Sequence, residues 1–139
     1  MDKIAVIYWS GTGNTAAMAS AIAQGIQQAG GEAEVMSVSS ADPSVVDGYA
    51  KLAFGCPSMG SEELAESEFE PFFSAVEGSL SGKKVALFGS YGWGDGQWMR
   101  DWVERTAQAG ATVYGEGLIA QEAPDEAECV AYGKEFAAF

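Results

Sequence analysis

The stretch that decides the fold runs from residue 4 to residue 15 and reads Ile4-Ala5-Val6-Ile7-Tyr8-Trp9-Ser10-Gly11-Thr12-Gly13-Asn14-Thr15. Its first half is apolar at successive positions and therefore on both faces of a strand, which is typical of a central strand that is buried on both faces of a sheet. Its second half is small and polar, and a helical pattern follows, in which Met18, Ile22 and Ile26 recur every four residues. The stretch therefore predicts a buried parallel strand, a polar turn and a helix.

The same alternation of strand and helix patterns continues to the end of the chain. Further strands are predicted near residues 34–38, 51–55, 85–88 and 112–119, and the last is interrupted by Gly115 and Gly117. Helical patterns lie near residues 45–49, 69–76, 98–103 and 129–139. This order predicts a single α/β domain over residues 1–139, with a doubly wound five-stranded parallel sheet and helices on both faces.

Charge and composition exclude several classes of function. Twenty acidic and seven basic residues give a net charge of −13, which repels nucleic acids and anionic membranes and favours partners with basic docking patches. No apolar run is long enough to span a bilayer, so we expect a cytoplasmic location. The chain has no histidine, and Cys56 and Cys129 are far apart. Histidine-based catalysis and a disulfide framework are excluded, and both cysteines are predicted to be buried.

The loop after the first strand has the features of a phosphate site. It combines two glycines, four hydroxyl or amide side chains and the start of a helix, in the sequence Ser10-Gly11-Thr12-Gly13-Asn14-Thr15. A P-loop is excluded because Asn14 stands where that motif needs a lysine. A simple helix cap by Thr12 or Asn14 is the plainer interpretation, but the number of polar groups exceeds what a cap needs.

A dinucleotide site is the main enzymatic alternative for this loop. Gly11, Gly13 and Ala16 fit the pattern G-x-G-x-x-A, and Glu32 or Glu34 supplies an acid about twenty residues later. That motif uses mainly backbone against a pyrophosphate, whereas the hydroxyl groups here favour a terminal phosphate monoester. The chain also lacks a second half that would hold nicotinamide and substrate.

The loops after the third and fourth strands suggest a site for a flat ring. They read Pro57-Ser58-Met59-Gly60-Ser61-Glu62 and Ser90-Tyr91-Gly92-Trp93-Gly94. Glycines flank Trp93, which disfavours a core position for its indole, whereas Trp98 and Trp102 lie four apart on a helix and are predicted to be core residues. Met59 and Trp93 could hold a heteroaromatic ring between them.

These motifs resemble the short-chain flavodoxins of anaerobic bacteria. The segments that carry the resemblance are Tyr8-Trp9-Ser10-Gly11-Thr12-Gly13-Asn14-Thr15, Met59-Gly60-Ser61-Glu62, Glu66-Ser67-Glu68-Phe69-Glu70-Pro71-Phe72 and Gly89-Ser90-Tyr91-Gly92-Trp93-Gly94. The resemblance covers nearly the whole chain and implies the strand order 2-1-3-4-5 and one non-covalent FMN. The residues that it assigns to the cofactor are Ser10, Gly11, Thr12, Gly13, Asn14, Thr15, Pro57, Ser58, Met59, Gly60, Ser61, Glu62, Ser90, Tyr91, Gly92, Trp93 and Gly94.

The resemblance also implies individual roles. The first loop would bind the phosphate, Met59 and Trp93 would face the ring, and Glu62 would accept a hydrogen bond from a ring N–H. Some family members have a serine at the position of Pro57, which contributes to the phosphate site, and an aspartate at that of Ser61. Ser58 and Ser90 are the candidates to replace the missing serine contact.

The implied function is that of a monomeric, low-potential electron carrier and not of an enzyme. It would carry one electron at a time on FMN between redox enzymes and cycle mainly between semiquinone and hydroquinone. The Gly60 carbonyl could accept a hydrogen bond from the singly reduced ring, and acidic residues near the ring would disfavour the anionic, fully reduced form. A flavin reductase, a receiver domain and a low-molecular-weight phosphatase are disfavoured, because the chain lacks the residues that each requires.

Overall fold

The computed structural model describes residues 3–9, 13–38, 41–57, 69–91, 96–121 and 124–139. The elements in chain order are β1 (Lys3–Tyr8), α1 (Asn14–Gln28), β2 (Glu32–Ser37), a 3-10 helix (Pro43–Gly48), β3 (Lys51–Gly55), α2 (Phe69–Glu77), β4 (Lys84–Tyr91), α3 (Gln97–Gln108), β5 (Thr112–Val113), β6 (Leu118–Gln121) and α4 (Glu126–Ala138). The strands pair in parallel in the order β2-β1-β3-β4-β5, and β6 also pairs with β4. The predicted fold class and strand order are confirmed.

The sheet separates two hydrophobic cores. Alternate residues of β1 point to opposite faces, so that Ile4 and Val6 pack with α1 and α4, while Ala5 and Ile7 pack with α2 and α3. All four side chains are fully buried. β1 is thus the central strand that its apolar sequence predicts.

Within the described residues, no helix is both long and apolar enough to cross a membrane.

The ends of several elements differ from the sequence-based expectation. β4 extends past Phe88 to Tyr91, because Ser90 and Tyr91 pair with Ala120 and Gln121 of β6. The sequence pattern alone predicts a loop for these two residues of β4. β2 begins at Glu32 rather than at residue 34, and the short helix after it is a 3-10 helix.

The fifth strand position is divided between β5 and β6. β5 pairs with β4 at Val85, and β6 resumes the pairing at Phe88, so two residues of β4 face the four residues 114–117. The extra residues leave the sheet in a turn. Gly117 has a positive φ of 84°, and a Cβ there would lie 2.6 Å from the Met99 sulfur, so a side chain at this position would be strained and would clash. The interruption that the glycines predict is confirmed.

α2 is held against α3 by aromatic packing and by an ion pair. The Trp102 ring meets the Phe69 and Phe73 rings edge-on, with centroids 5.3 and 5.7 Å away. The Arg105 guanidinium donates two hydrogen bonds of 2.8 Å to the Glu70 carboxylate. This contact lowers the pKa of Glu70 below its ordinary value of 4.5. These contacts fix α2, the first described element after residue 57, against α3.

Two glycines allow α1 and α4 to pack backbone against backbone. A Cβ on Gly25 would lie 2.0 Å from the Val130 carbonyl oxygen, and a Cβ on Gly133 would lie 2.1 Å from the Ile22 carbonyl oxygen. Each helix therefore presents a glycine to a carbonyl of the other. Because the obstructing atoms belong to the backbone, no side-chain rotation can relieve either contact.

Replacing Gly133 by alanine is expected to destabilise the protein. Alanine favours an isolated helix by about 1 kcal/mol over glycine, but overpacking at a rigid contact costs about 1–3 kcal/mol. Because the alanine Cβ would meet a carbonyl oxygen at 2.1 Å, we expect a cost in the upper part of this range, so that the Gly133→Ala variant loses about 1–2 kcal/mol of unfolding free energy in equilibrium urea denaturation. Gly78→Ala is the control, because a Cβ there meets no atom within 4 Å. A Gly133→Ala variant as stable as the control would contradict the helix packing described here.

Candidate functional site

The carboxyl ends of β1, β3 and β4 are joined by main-chain hydrogen bonds. The Trp9 N–H donates to the Gly55 carbonyl over 3.0 Å, and the Cys56 N–H donates to the Phe88 carbonyl over 3.1 Å. Both bonds lie just beyond the ends of β1 and β3, and Phe88 lies three residues before the end of β4. The first residues of the three predicted loops are therefore held together at one edge of the sheet, where open parallel sheets bind ligands.

Close backbone approach brings the ends of β3 and β4 together. A Cβ on Gly89 would lie 2.1 Å from the Cys56 carbonyl oxygen, so only glycine fits this position without movement of a strand. The same carbonyl oxygen accepts a hydrogen bond of 3.3 Å from the buried Trp98 indole. The Tyr91 ring packs on Trp98 with centroids 5.5 Å apart. Trp98 is thus a core residue, as predicted, and it also fixes the end of β3.

α1 begins at this edge, and its N-cap residue makes no side-chain capping hydrogen bond. Gly13 occupies the N-cap position with a φ of 95° and has no side chain that could cap the helix. Asn14 is the first helical residue and so is not the cap, and Thr12, the other predicted cap, lies outside the described residues. The first N–H groups of a helix have no intrahelical acceptor, and the helix dipole adds positive potential there. This end of α1 is suited to an anion.

A buried pair of hydroxyl groups lies beside the start of α1. The Thr15 and Ser90 side-chain oxygens are 3.1 Å apart, and their residues are 0% and 4% exposed. The two residues are 75 positions apart in sequence, and Ser90 reaches Thr15 from the end of β4. A pair of hydroxyls has two hydrogens, and one hydrogen bond uses only one of them. The pair can therefore donate a hydrogen to a ligand.

Six of the predicted site residues fall within the described residues and lie at this edge or at the start of its loops: Gly13, Asn14, Thr15, Pro57, Ser90 and Tyr91. Pro57 is buried directly after β3. The other eleven lie outside the described residues: Ser10, Gly11, Thr12, Ser58, Met59, Gly60, Ser61, Glu62, Gly92, Trp93 and Gly94. Sequence reasoning missed the contact of Thr15 with Ser90 and the close approach at Gly89, because both depend on which strands become neighbours.

Both cysteines are buried in the core and are suited to packing. Cys56 and Cys129 are 0% and 2% exposed. Burial, together with the nearby carboxylates of Glu128, Asp125 and Glu126, which repel a thiolate, raises the pKa of the Cys129 thiol to about 11. The thiolate is the reactive form of cysteine, and at neutral pH this environment almost eliminates it for Cys129. The predicted burial of both cysteines is confirmed.

The two thiols are expected to resist labelling in the folded protein. At pH 8, we expect less than about one-tenth of the thiols to react with a disulfide reagent in the time that a free cysteine, with a pKa of about 8.5, reacts completely. Unfolding in urea should expose both thiols to rapid reaction. Reaction should also accelerate in folded protein as the pH approaches 11. Rapid labelling of native protein at pH 8 would show that a thiol is accessible.

Together, the sheet order and the helix start define a doubly wound α/β protein with a candidate anion site at the carboxyl edge of its central strands. The family model for flavodoxin matches residues 6–133. The chain is 50% identical to the flavodoxins of Clostridium beijerinckii, over 95% of this chain and 97% of that one, and of Megasphaera elsdenii, over 94% and 96%. The solution structure of two-electron reduced Megasphaera elsdenii flavodoxin superposes with a TM-score of 0.90 at 44% identity, covering 98% of this chain and 99% of that one. The chain belongs to the flavodoxin family.

The described part of the site fits the cofactor of this family. Flavodoxins bind FMN and use it for electron transfer. The phosphate of FMN requires hydrogen-bond donors and positive potential, and the start of α1 with the hydroxyl pair supplies both. The cofactor therefore fits the chemistry of the residues that surround this edge.

Proposed function

We propose that this flavodoxin is a low-potential carrier that moves one electron at a time between redox enzymes and is not itself an enzyme. It would bind FMN non-covalently and cycle mainly between semiquinone and hydroquinone. The observation that carries this proposal is the shared edge of β1, β3 and β4, where the start of α1 lies beside the buried Thr15–Ser90 pair. When bound, FMN supplies the one-electron chemistry, and the chain holds and orients it.

The phosphate is assigned to the first loop and the ring to the other two. Residues 10–15 would bind the phosphate, with the N–H groups of α1 directed at its oxygens. Met59 and Trp93 would cover the two faces of the ring, and Glu62 would accept a hydrogen bond from a ring N–H. Pro57, Ser58, Gly60, Ser61, Ser90, Tyr91, Gly92 and Gly94 would complete the enclosure. The main-chain bonds between the strand ends support this assignment, because they hold the starts of these loops side by side.

The distribution of charge supports a low potential and a basic partner. Lys3, Lys51 and Lys84 are the first residues of β1, β3 and β4, so they lie at the edge of the sheet opposite the site. Asp125 caps α4 and Glu126 and Glu128 lie in its first turn, which places them near the site edge. Negative charge at that edge would destabilise an added electron and attract a positively charged protein. We propose transient redox partners with basic docking patches.

The remaining parts of the proposal follow from the same features. We propose a single domain over residues 1–139 that acts as a monomer in the cytoplasm and binds neither nucleic acid nor membrane. The net charge of −13 supports the last point, because phosphate-rich surfaces repel such a protein.

A stepwise reductive titration tests the proposed function. We expect purified protein to be yellow, or to become yellow with one equivalent of FMN, and to take up two electrons in two separate steps under anaerobic conditions. The intermediate redox state should accumulate visibly between them, and the second step should have the lower potential. Visible spectra with redox indicator dyes measure both potentials. Protein that does not bind FMN, or that takes up both electrons in one step, would contradict the proposal.

Neutralising acids at the site edge is expected to raise the second potential. At about 15 Å in water, one charge changes the energy of another by about 0.3 kcal/mol, which corresponds to about 12 mV for one electron. The double variant Glu126→Gln, Glu128→Gln should therefore raise the second potential by about 20 mV at low ionic strength. Glu32→Gln, at the start of β2 and the opposite edge, is the matched control and should change it much less. Equal shifts per neutralised charge in the two variants would show that the position of the charges is unimportant.

A further inference from the structure

We propose that Ser90 is a positioning residue that acts through Thr15, forming a hydroxyl relay that selects FMN over riboflavin. The inference rests on the proposed function, because it concerns the same phosphate site. It adds a specific route: Ser90 on β4 donates to Thr15 on α1, and Thr15 donates to a phosphate oxygen. The relay is defined by the Thr15 and Ser90 side-chain oxygens, 3.1 Å apart.

The first step concerns the hydrogens of the pair. Each hydroxyl carries one hydrogen, so the pair has two hydrogens for one shared hydrogen bond. Both residues are more than nine-tenths buried, and within the described ranges neither hydroxyl makes another hydrogen bond. One buried O–H therefore has no acceptor among the residues that the structure describes. A buried donor without an acceptor is destabilising, so this arrangement calls for a ligand that accepts.

The second step concerns the direction of the relay. Thr15 is the second residue of α1, in the turn whose free N–H groups favour an anion, whereas Ser90 belongs to a strand. The hydroxyl hydrogen that the Thr15–Ser90 bond does not use is best placed on Thr15, where it can donate to the same anion as these N–H groups. A hydroxyl that accepts a hydrogen bond also becomes a stronger donor, so Ser90 would strengthen the bond that Thr15 makes to the anion.

The third step explains why the donor comes from β4. Pro57, at the end of β3, is buried and has neither an N–H nor a side-chain donor. The Cys56 N–H is already committed to the Phe88 carbonyl. The Cys56 thiol donates to the Pro57 carbonyl at 3.5 Å, so the described residues beyond the end of β3 show no hydrogen bond to Thr15, and the side chain of Ser90 fills that role.

The test compares FMN with riboflavin, which has the same ring and no phosphate. The full chain, freed of cofactor and reloaded, is titrated with each flavin, and the ratio of the two dissociation constants is measured. Thr15→Val removes the hydroxyl with little change of shape and should weaken FMN binding by about 10-fold to 100-fold, the effect of losing a hydrogen bond to a charged group. Riboflavin binding should change by less than about 2-fold, which lowers the selectivity for FMN by nearly the full loss.

The other variants test the direction of the relay. Ser90→Ala leaves the Thr15 donor in place and should weaken FMN binding by only about 3-fold to 10-fold, the effect of a neutral hydrogen bond. Thr15→Ser keeps the hydroxyl and should retain the wild-type ratio. Thr106→Val is the control for loss of a buried hydroxyl, because the Thr106 hydroxyl is already satisfied by the Trp102 carbonyl at 2.7 Å. It should leave the ratio unchanged.

The contrary outcomes are distinct. Equal losses for FMN and riboflavin in Thr15→Val would mean that the pair only supports the fold, and would overturn the relay alone. A larger loss of the ratio in Ser90→Ala than in Thr15→Val would overturn the proposed direction, as would failure of Thr15→Ser to retain selectivity. A wild-type chain that binds neither flavin would overturn the proposed function and the relay with it. Urea unfolding of each variant without cofactor confirms that the compared proteins are folded.

Discussion

The structure depends on the parallel alignment of three neighbouring strands. Because β1, β3 and β4 run in the same direction and in register, their carboxyl ends meet at one edge. The hydrogen bonds from Trp9 to Gly55 and from Cys56 to Phe88 continue the pairing just beyond the strands, so the loops begin from a fixed base. A site assembled from three distant parts of a chain needs such a base, since each loop alone would lose much conformational freedom on binding a ligand.

Close backbone contacts at glycines make this base compact. At Gly89 the end of β4 approaches the end of β3, and at Gly25 and Gly133 the helices α1 and α4 approach each other. In each case a side chain would meet a carbonyl oxygen on another element. The helix contacts matter for the site because α1 carries Asn14 and Thr15, and they fix how closely α1 lies beside α4 on the same face of the sheet.

Much of the fold could be predicted from sequence because its signals are local. Three local patterns each predict the element in which they occur. They are the apolar run at Ile4–Tyr8, the four-residue spacing of Met18, Ile22 and Ile26, and the glycines that interrupt the fifth strand. The extension of β4 to Tyr91 could not be read in this way, because it depends on pairing with β6. The same difference between local and long-range signals applies to the site. Its loops are recognisable from their composition, whereas the Thr15–Ser90 contact depends on the strand order and on the position of α1.

Because the fifth strand position is divided between β5 and β6, the sheet can accept inserted residues between these two strands. β5 and β6 each pair with β4 independently, and Tyr114 packs against Tyr132 and Phe139 before the chain turns away. Gly115 faces open space, and Glu116 beside it is exposed. Additional residues inserted between them would extend outward without shifting the register of either segment or moving the carboxyl ends of the central strands. This edge is therefore a point at which the fold can acquire a new surface or a fused peptide while the cofactor edge keeps its geometry.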